Sequence, residues 1–314
     1  TSFARCPFCY WAPNSCDPAV GCETAVKLAL QQPPWLSGAS CIINRVTTDP
    51  APADHHWRRE IIDRMSKAGS VLDRIESNAP YPVEPESDLA GDRDQVPDLW
   101  VDTLAVRRLK VAVDFLAGVR DLVIGGTHMY APFPLLRASL ESSATAVWLL
   151  EPEDRATRLQ RLVGLHIDDT NNKKAVQFMM PEELRDPFDH EPGIKQMVTD
   201  SGSPRGKCKF PDYTSVLKSV DDLPREGKSM LLAWRVCSGF SHGLSWATTG
   251  LMPQSNREQI GPTLHRAETS PNYQLVSSLV GTAVRTVERA DCLFHIRRTA
   301  RPHEIRFNFT RDQR

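Results

Sequence analysis

Arg235 and His242 lie seven residues apart in the run Trp-Arg-Val-Cys-Ser-Gly-Phe-Ser-His-Gly, and no other acidic or basic side chain occurs between Lys228 and Arg257. Residues seven apart fall two turns along one helical face. Ser238 and Ser245 extend that face to Arg235–Ser238–His242–Ser245. Met230, Ala233, Trp234, Cys237, Phe240, Leu244 and Ala247 form the complementary apolar stripe, the pattern of a core-facing helix. A solvated face would carry Lys and Glu, whereas this one carries hydroxyls, one guanidinium and one imidazole. Imidazole exchanges a proton near neutral pH, and guanidinium keeps its charge and holds phosphate oxygens. Together they supply the minimum for phosphodiester chemistry without a metal. The alternative is that both groups cap carbonyls or pair with an acid on a neighbouring helix.

Arg137 and Glu141 are the only charged residues in the apolar, small-residue stretch from Leu135 to Leu150. An i,i+4 spacing brings them together, but Arg ahead of Glu is the weaker order for helix stability. A tertiary role is therefore expected: orienting His242, completing an anion pocket, or a structural ion pair across two helices. His166 and Asp169, with Asp168 beside them, share a face that could offer two metal ligands, although the Glu-x-x-His pairs of di-metal bundles are missing; a solvated polar face is the better reading. Arg285, Arg289, Arg297 and Arg298, followed by Arg301, Arg306, Arg311 and Arg314, could follow a polyanion backbone. Glu288 and Asp291 interrupt that stripe, which favours an ordinary charged face.

Four of the eight cysteines, Cys6, Cys9, Cys16 and Cys22, form the compact pattern C-x2-C-x6-C-x5-C. Four thiolates satisfy tetrahedral zinc, and Cys6-Pro-Phe-Cys9 resembles a zinc knuckle, although the second pair is not C-x2-C. Structural zinc and free thiols are the two leading readings. Disulfides come third, because no secretory signal precedes the cluster.

These residues need elements to hold them. Residues 1–50 read as an irregular Cys-containing segment, and 51–98 as an amphipathic helix around 54–77 followed by a Pro- and acid-rich extended linker. From 99 to 314 the pattern is helical, with helices at 99–124, 133–150, 153–179, 222–248 and 271–298 and a short one near 213–220. Gly125-Gly126 and Pro181 supply stops, and Pro134 and Pro224 fall in first turns. Alternating strands are absent. The expected fold is all-α, a bundle of four or five long helices with an irregular N-terminal segment.

The chain has 314 residues, 40% hydrophobic and 25% charged, with a formal net charge of −1, enough for one large core or two modest ones. That balance argues against a dedicated polyanion binder without excluding local phosphate contacts. No apolar run approaches the length of a membrane span, and the N-terminus lacks a basic-then-apolar signal. A cytoplasmic protein with no membrane partner is expected. The start at Thr1 rather than Met fits a processed form.

The Arg-x6-His pair on a late helix of an all-α bundle resembles the HEPN superfamily, whose members carry Arg-x4–6-His. The stretch Leu135-Leu-Arg-Ala-Ser-Leu-Glu, with Trp234-Arg-Val-Cys-Ser-Gly-Phe-Ser-His, is similar to a poorly characterised bacterial family within it, over roughly residues 99–298. The resemblance implies a homodimer in which two Arg/His pairs line one cleft, and a metal-independent endoribonuclease of the toxin–antitoxin or antiphage kind, with an antitoxin as a further partner. Inactive members serve instead as nucleotide-binding or scaffold modules. Val236 follows Arg235 where active members often carry a polar residue. Under this reading His242 takes a proton from a ribose 2′-hydroxyl or gives one to the leaving 5′-oxygen. Arg235 stabilises the phosphorane, and Ser238 and Ser241 orient the imidazole or a phosphate oxygen. RNA would be cut without a catalytic cofactor, and DNA spared.

Overall fold

The computed structural model describes residues 41–46, 52–76, 82–126, 128–187, 190–221, 229–262 and 264–300. Cys6, Cys9, Cys16 and Cys22, and the arginines from Arg301 on, lie outside the described residues. The fold is predominantly all-α. Five long helices carry it: α1 (Pro52–Glu76), α3 (Val101–Gly125), α4 (Pro132–Leu150), α5 (Arg155–Met179) and α10 (Tyr273–Arg298). Shorter helices are α2 (Asp88–Gln95), α6 (Glu191–Asp200), α7 (Tyr213–Val220), α8 (Met230–Ser241) and α9 (Ser245–Thr248). Among the described residues, no helix is long and apolar enough to cross a membrane.

The chain divides into two compact units that interleave along the sequence. The first comprises residues 1–77, 106–148 and 211–291, the second 78–105, 149–210 and 292–314. The first unit's core follows the helical period. Leu109, Ala112, Val113, Leu116, Val119 and Val123 are buried on α3; Phe133, Leu136, Leu140, Ala144 and Val147 on α4; Val276, Leu279, Val280, Ala283 and Val287 on α10. Polar groups join these helices. Ser139 Oγ donates to the Ala112 carbonyl at 2.9 Å, and Arg58 Nε to the Val123 carbonyl at 2.9 Å, meeting an α3 C-terminal carbonyl that has no intrahelical donor.

In the second unit two arginines hold one turn. Arg297 donates to the Leu150 and Glu151 carbonyls at 3.0 and 2.9 Å, and Arg158 to the Pro152 and Glu153 carbonyls at 3.0 and 2.7 Å. Their charges are met one helical turn apart on α2, by Asp88 at 2.8 Å from Arg297 and Asp92 at 2.8 Å from Arg158. The stretch 78–98, expected above to be an extended linker, therefore carries α2. Ser87 caps it by accepting from the Ala90 N–H, and it is fixed by the buried Leu89 together with the ion pairs of Asp88 and Asp92.

Three other differences matter. Strands do occur: β1 (Cys41–Val46), β2 (Gln254–Gln259) and β3 (Leu264–Thr269) form a sheet in the order β1-β3-β2, with β1 parallel and β2 antiparallel to β3. Five of the six residues of β2 are exposed and β3 buries only Ala267 and Thr269, so no apolar alternation announces this pair. Asn256, at φ 49°, takes up the bulge between Ser255 and Glu258. The segment 181–222 also holds α6, besides the expected short helix. Finally, of the helix expected over 222–248, residues 222–228 lie outside the described residues, and the rest is two helices, α8 ending at Ser241 and α9 starting at Ser245.

Candidate functional site

The N-terminus of α8 is fixed by its flanks. Ser229 accepts from the Leu232 N–H at 3.1 Å, and the Asp221 carboxylate accepts from the N–H groups of Met230 and Leu231 at 3.1 and 3.4 Å. Such caps contribute about 1 kcal/mol each, and a carboxylate there also faces the positive end of the helix dipole. The C-terminus is a Schellman motif. The Gly243 N–H donates to the Phe240 carbonyl at 3.0 Å and the Leu244 N–H to the Gly239 carbonyl at 2.9 Å, with Gly243 at φ 64°. His242 is thus the C-cap, and the Arg235–Ser238–His242 face ends there. Ser245 falls beyond the turn, on α9, and Leu244 is exposed rather than part of the apolar stripe.

Within α8, Met230, Ala233, Val236, Cys237 and Phe240 are buried. Phe240 stacks on Phe133 of α4 with ring centroids 3.7 Å apart, a pairing worth about 1 kcal/mol beyond its buried area. That packing sets the rotation of α8 and turns Arg235 and His242 outward, both exposed. Burial pushes the Cys237 thiol up, although the Arg137 charge pulls the other way. A thiol so held is not a nucleophile.

The two isolated charges of α4 meet this face. Arg137 Nη1 lies 3.1 Å from His242 Nε2. Its Nε donates to Glu141 Oε1 at 2.9 Å, which also accepts from Trp234 Nε1 at 2.7 Å. The guanidinium lies over the Trp234 ring, 5.4 Å from its centroid. Trp234, Glu141, Arg137 and His242 thus form one connected chain across two helices. A guanidinium has only donors, so the imidazole accepts through Nε2 and its neutral form carries the proton on Nδ1. Arg235 has no hydrogen-bond or ion-pair partner among the described residues. It stands on the same face about 10 Å along the axis from His242, at 1.5 Å per residue.

The serines differ from each other. Ser241 Oγ donates back to the Cys237 carbonyl at 2.8 Å, which occupies its proton. Ser238 Oγ is buried without a hydrogen-bond partner, a donor that costs stability until something accepts from it. Among the described residues, the site therefore presents one guanidinium without a hydrogen-bond or ion-pair partner and a second bonded to an imidazole, with the buried Ser238 hydroxyl beneath. Such a face can bind an anion and move a proton beside it.

The remaining candidates are placed elsewhere. Arg289 Nη1 donates to the Val220 carbonyl at 2.6 Å and Arg285 Nη2 to Thr282 Oγ1 at 3.3 Å. Arg298 Nη1 donates to the Pro82 carbonyl at 3.0 Å, and Arg297 is buried. These arginines hold backbone and neighbouring side chains rather than lining a polyanion track. His166 and Asp169 lie on α5, and among the described residues no three His, Cys, Asp or Glu side chains converge as a metal-ligand set.

Desolvation holds His166 below its ordinary value, with His190 adding to the effect and Asp169 opposing it. A histidine whose folded value is depressed favours folding while neutral. That contribution is full above the unfolded value and is lost as pH falls through the folded one. Thermal melts from pH 7.5 to 5 are expected to show a steeper acid-side fall for the wild type than for His166→Gln. Parallel curves would remove His166 as the cause.

No family model, curated protein or solved structure matches this chain.

Proposed function

We propose that Arg137, Arg235 and His242 form a metal-independent endoribonuclease site of the HEPN type in a homodimer. The observation that carries this reading is the Arg137–His242 contact on the helix face of Arg235, which has no hydrogen-bond or ion-pair partner among the described residues. Arg235 and His242 share one exposed helix face that Arg137 reaches from α4, and Glu141, the carboxylate in this network, is already engaged by Arg137 and Trp234.

The chemistry follows from the donors. A phosphodiester oxygen takes the Arg235 guanidinium and draws Arg137 off the imidazole, which frees Nε2. Nε2 accepts the 2′-hydroxyl proton while O2′ attacks phosphorus, and the P–O5′ bond breaks. Charge on the phosphorane meets the two guanidiniums. The departing O5′ takes a proton from the imidazolium of the second copy, whose Arg/His pair lines the same cleft. Products are a 2′,3′-cyclic phosphate and a 5′-hydroxyl. A cytoplasmic toxin–antitoxin or antiphage setting, with an antitoxin as protein partner, is part of this reading.

A second reading draws on two observations: Nε2 is already bonded to Arg137, and Val236 is buried in the core. Both fit a binding module that grips a nucleotide phosphate without cutting it. Product analysis separates the two. Incubated in EDTA, matched RNA and DNA oligonucleotides are expected to give cyclic-phosphate ends from RNA and intact DNA. Cleavage that stops in EDTA, or that cuts DNA equally, would overturn the proposal.

A further inference from the structure

Trp246 is held beside the Arg235/His242 face by the absence of a side chain. A Cβ at Gly239 would lie 2.3 Å from Trp246 Cζ2 and 2.6 Å from Cη2, so the indole edge rests where that Cβ would be. Gly250 makes the same allowance for the Trp246 carbonyl, which a Cβ there would approach to 2.4 Å. Gly239 is four residues after Arg235 and three before His242, spacings that make helical neighbours on the surface. The six-membered edge of the ring therefore sits within one turn of both chemical groups.

This placement is not that of a core residue. Trp246 is 47% exposed and the adjoining Leu244 45%, whereas Ala247, the next residue on α9, is fully buried. α9 is anchored through its backbone: the Ala247 and Thr248 N–H groups donate to the Leu244 carbonyl at 2.9 and 3.0 Å, and the Schellman turn fixes its angle to α8. A half-exposed aromatic surface is thus seated on α8 within one turn of Arg235 and His242.

We infer that Trp246 is a stacking platform for an unpaired nucleobase adjoining the phosphate held by Arg235, so that the substrate class is single-stranded RNA. Charge complementarity selects this occupant over an apolar protein segment: the ring is seated on Gly239, four residues after Arg235 and three before His242, which Arg137 contacts, and a chain offering both an anion and a flat π-face satisfies the guanidiniums and the ring together. Duplex RNA presents the phosphates but keeps its bases stacked on one another, and leaves Trp246 uncovered. The inference rests on the phosphodiester-site reading but does not require turnover.

The test uses probes that cannot be cut. The full-length protein is titrated with a labelled 2′-O-methyl oligoribonucleotide and with an abasic strand of equal length, and binding is read by anisotropy. The wild type is expected to bind the base-bearing strand roughly tenfold or more tightly, the usual scale for one base on an aromatic ring. Trp246→Leu should close that gap while Trp246→Phe keeps most of it, with circular dichroism unchanged. Arg235→Ala should weaken both strands and preserve the gap. Equal affinity for the two strands, no binding of either, or a gap that survives Trp246→Leu would overturn the inference. RNA cleavage without a base-dependent gap would remove stacking alone, and a gap without cleavage would remove only the nuclease.

Discussion

Arg158→Ala is expected to destabilise the second unit by about 3–5 kcal/mol, the range for removing one member of a buried ion pair. Both partners are 1% exposed. Arg158 Nε and Nη2 each donate to Asp92 at 2.8 Å, while Nη1 serves the Pro152 and Glu153 carbonyls. Burial pushes the Asp92 carboxyl up against the pull of Arg158, so the carboxylate depends on its partner. Arg155 approaches Asp92 at 3.3 Å but is 47% exposed, and cannot supply the lost fork. Alanine would leave a buried carboxylate and two carbonyls unsatisfied, and lysine would restore the charge without the two-pronged geometry. Chemical denaturation measures this. A loss below about 1 kcal/mol would mean the pair behaves as a surface contact.

His242→Ala is expected to slow single-turnover RNA cleavage by about a hundred- to ten-thousand-fold, the usual contribution of a positioned proton-transfer group. Arg235→Ala should lose on the order of a hundred- to a thousand-fold through the phosphorane. The double variant should fall far short of the product of the two losses, since groups that act as a unit are not additive. Glu141→Gln should have a smaller effect, because it touches the reaction only through Arg137 and Trp234. Melting temperatures near the wild type are expected for Arg235→Ala and His242→Ala, whose side chains are exposed. Normal rates in both variants would refute the assignment.

The long helices were legible because each joins an apolar stripe to strong boundaries. α4 starts at Pro132, α5 is capped by Asp154 and stops before Pro181, and α7 is capped by Asp212, all within a few residues of the expectation. α2 was not legible. Its buried residues are Leu89 and Asp92, and the partner that justifies burying Asp92 lies 66 residues away. The end of α8 did carry a signal, the glycine at 243, but the small residues after it continue a helical pattern and mask the turn. The polar strands β2 and β3 are specified by backbone pairing rather than by apolar alternation.

For the site, the readable feature was charge isolation. Arg137, Glu141 and Arg235 are the lone charged residues of two apolar helices, His242 caps the second, and Arg137 and His242 are drawn together across 105 residues of sequence. What spacing could not reveal was the Trp234 indole bonded to Glu141 and the Trp246 ring seated over Gly239. The first depends on the rotation set by Phe240 against Phe133, and the second on the turn at Gly243.

The central claim rests on one imidazole. Purified wild-type protein and His242→Ala, each incubated with total RNA in EDTA and run on a denaturing gel, test it most directly. The account predicts fragmentation by the wild type alone. RNA cut equally by both proteins, or left whole by both, would contradict it.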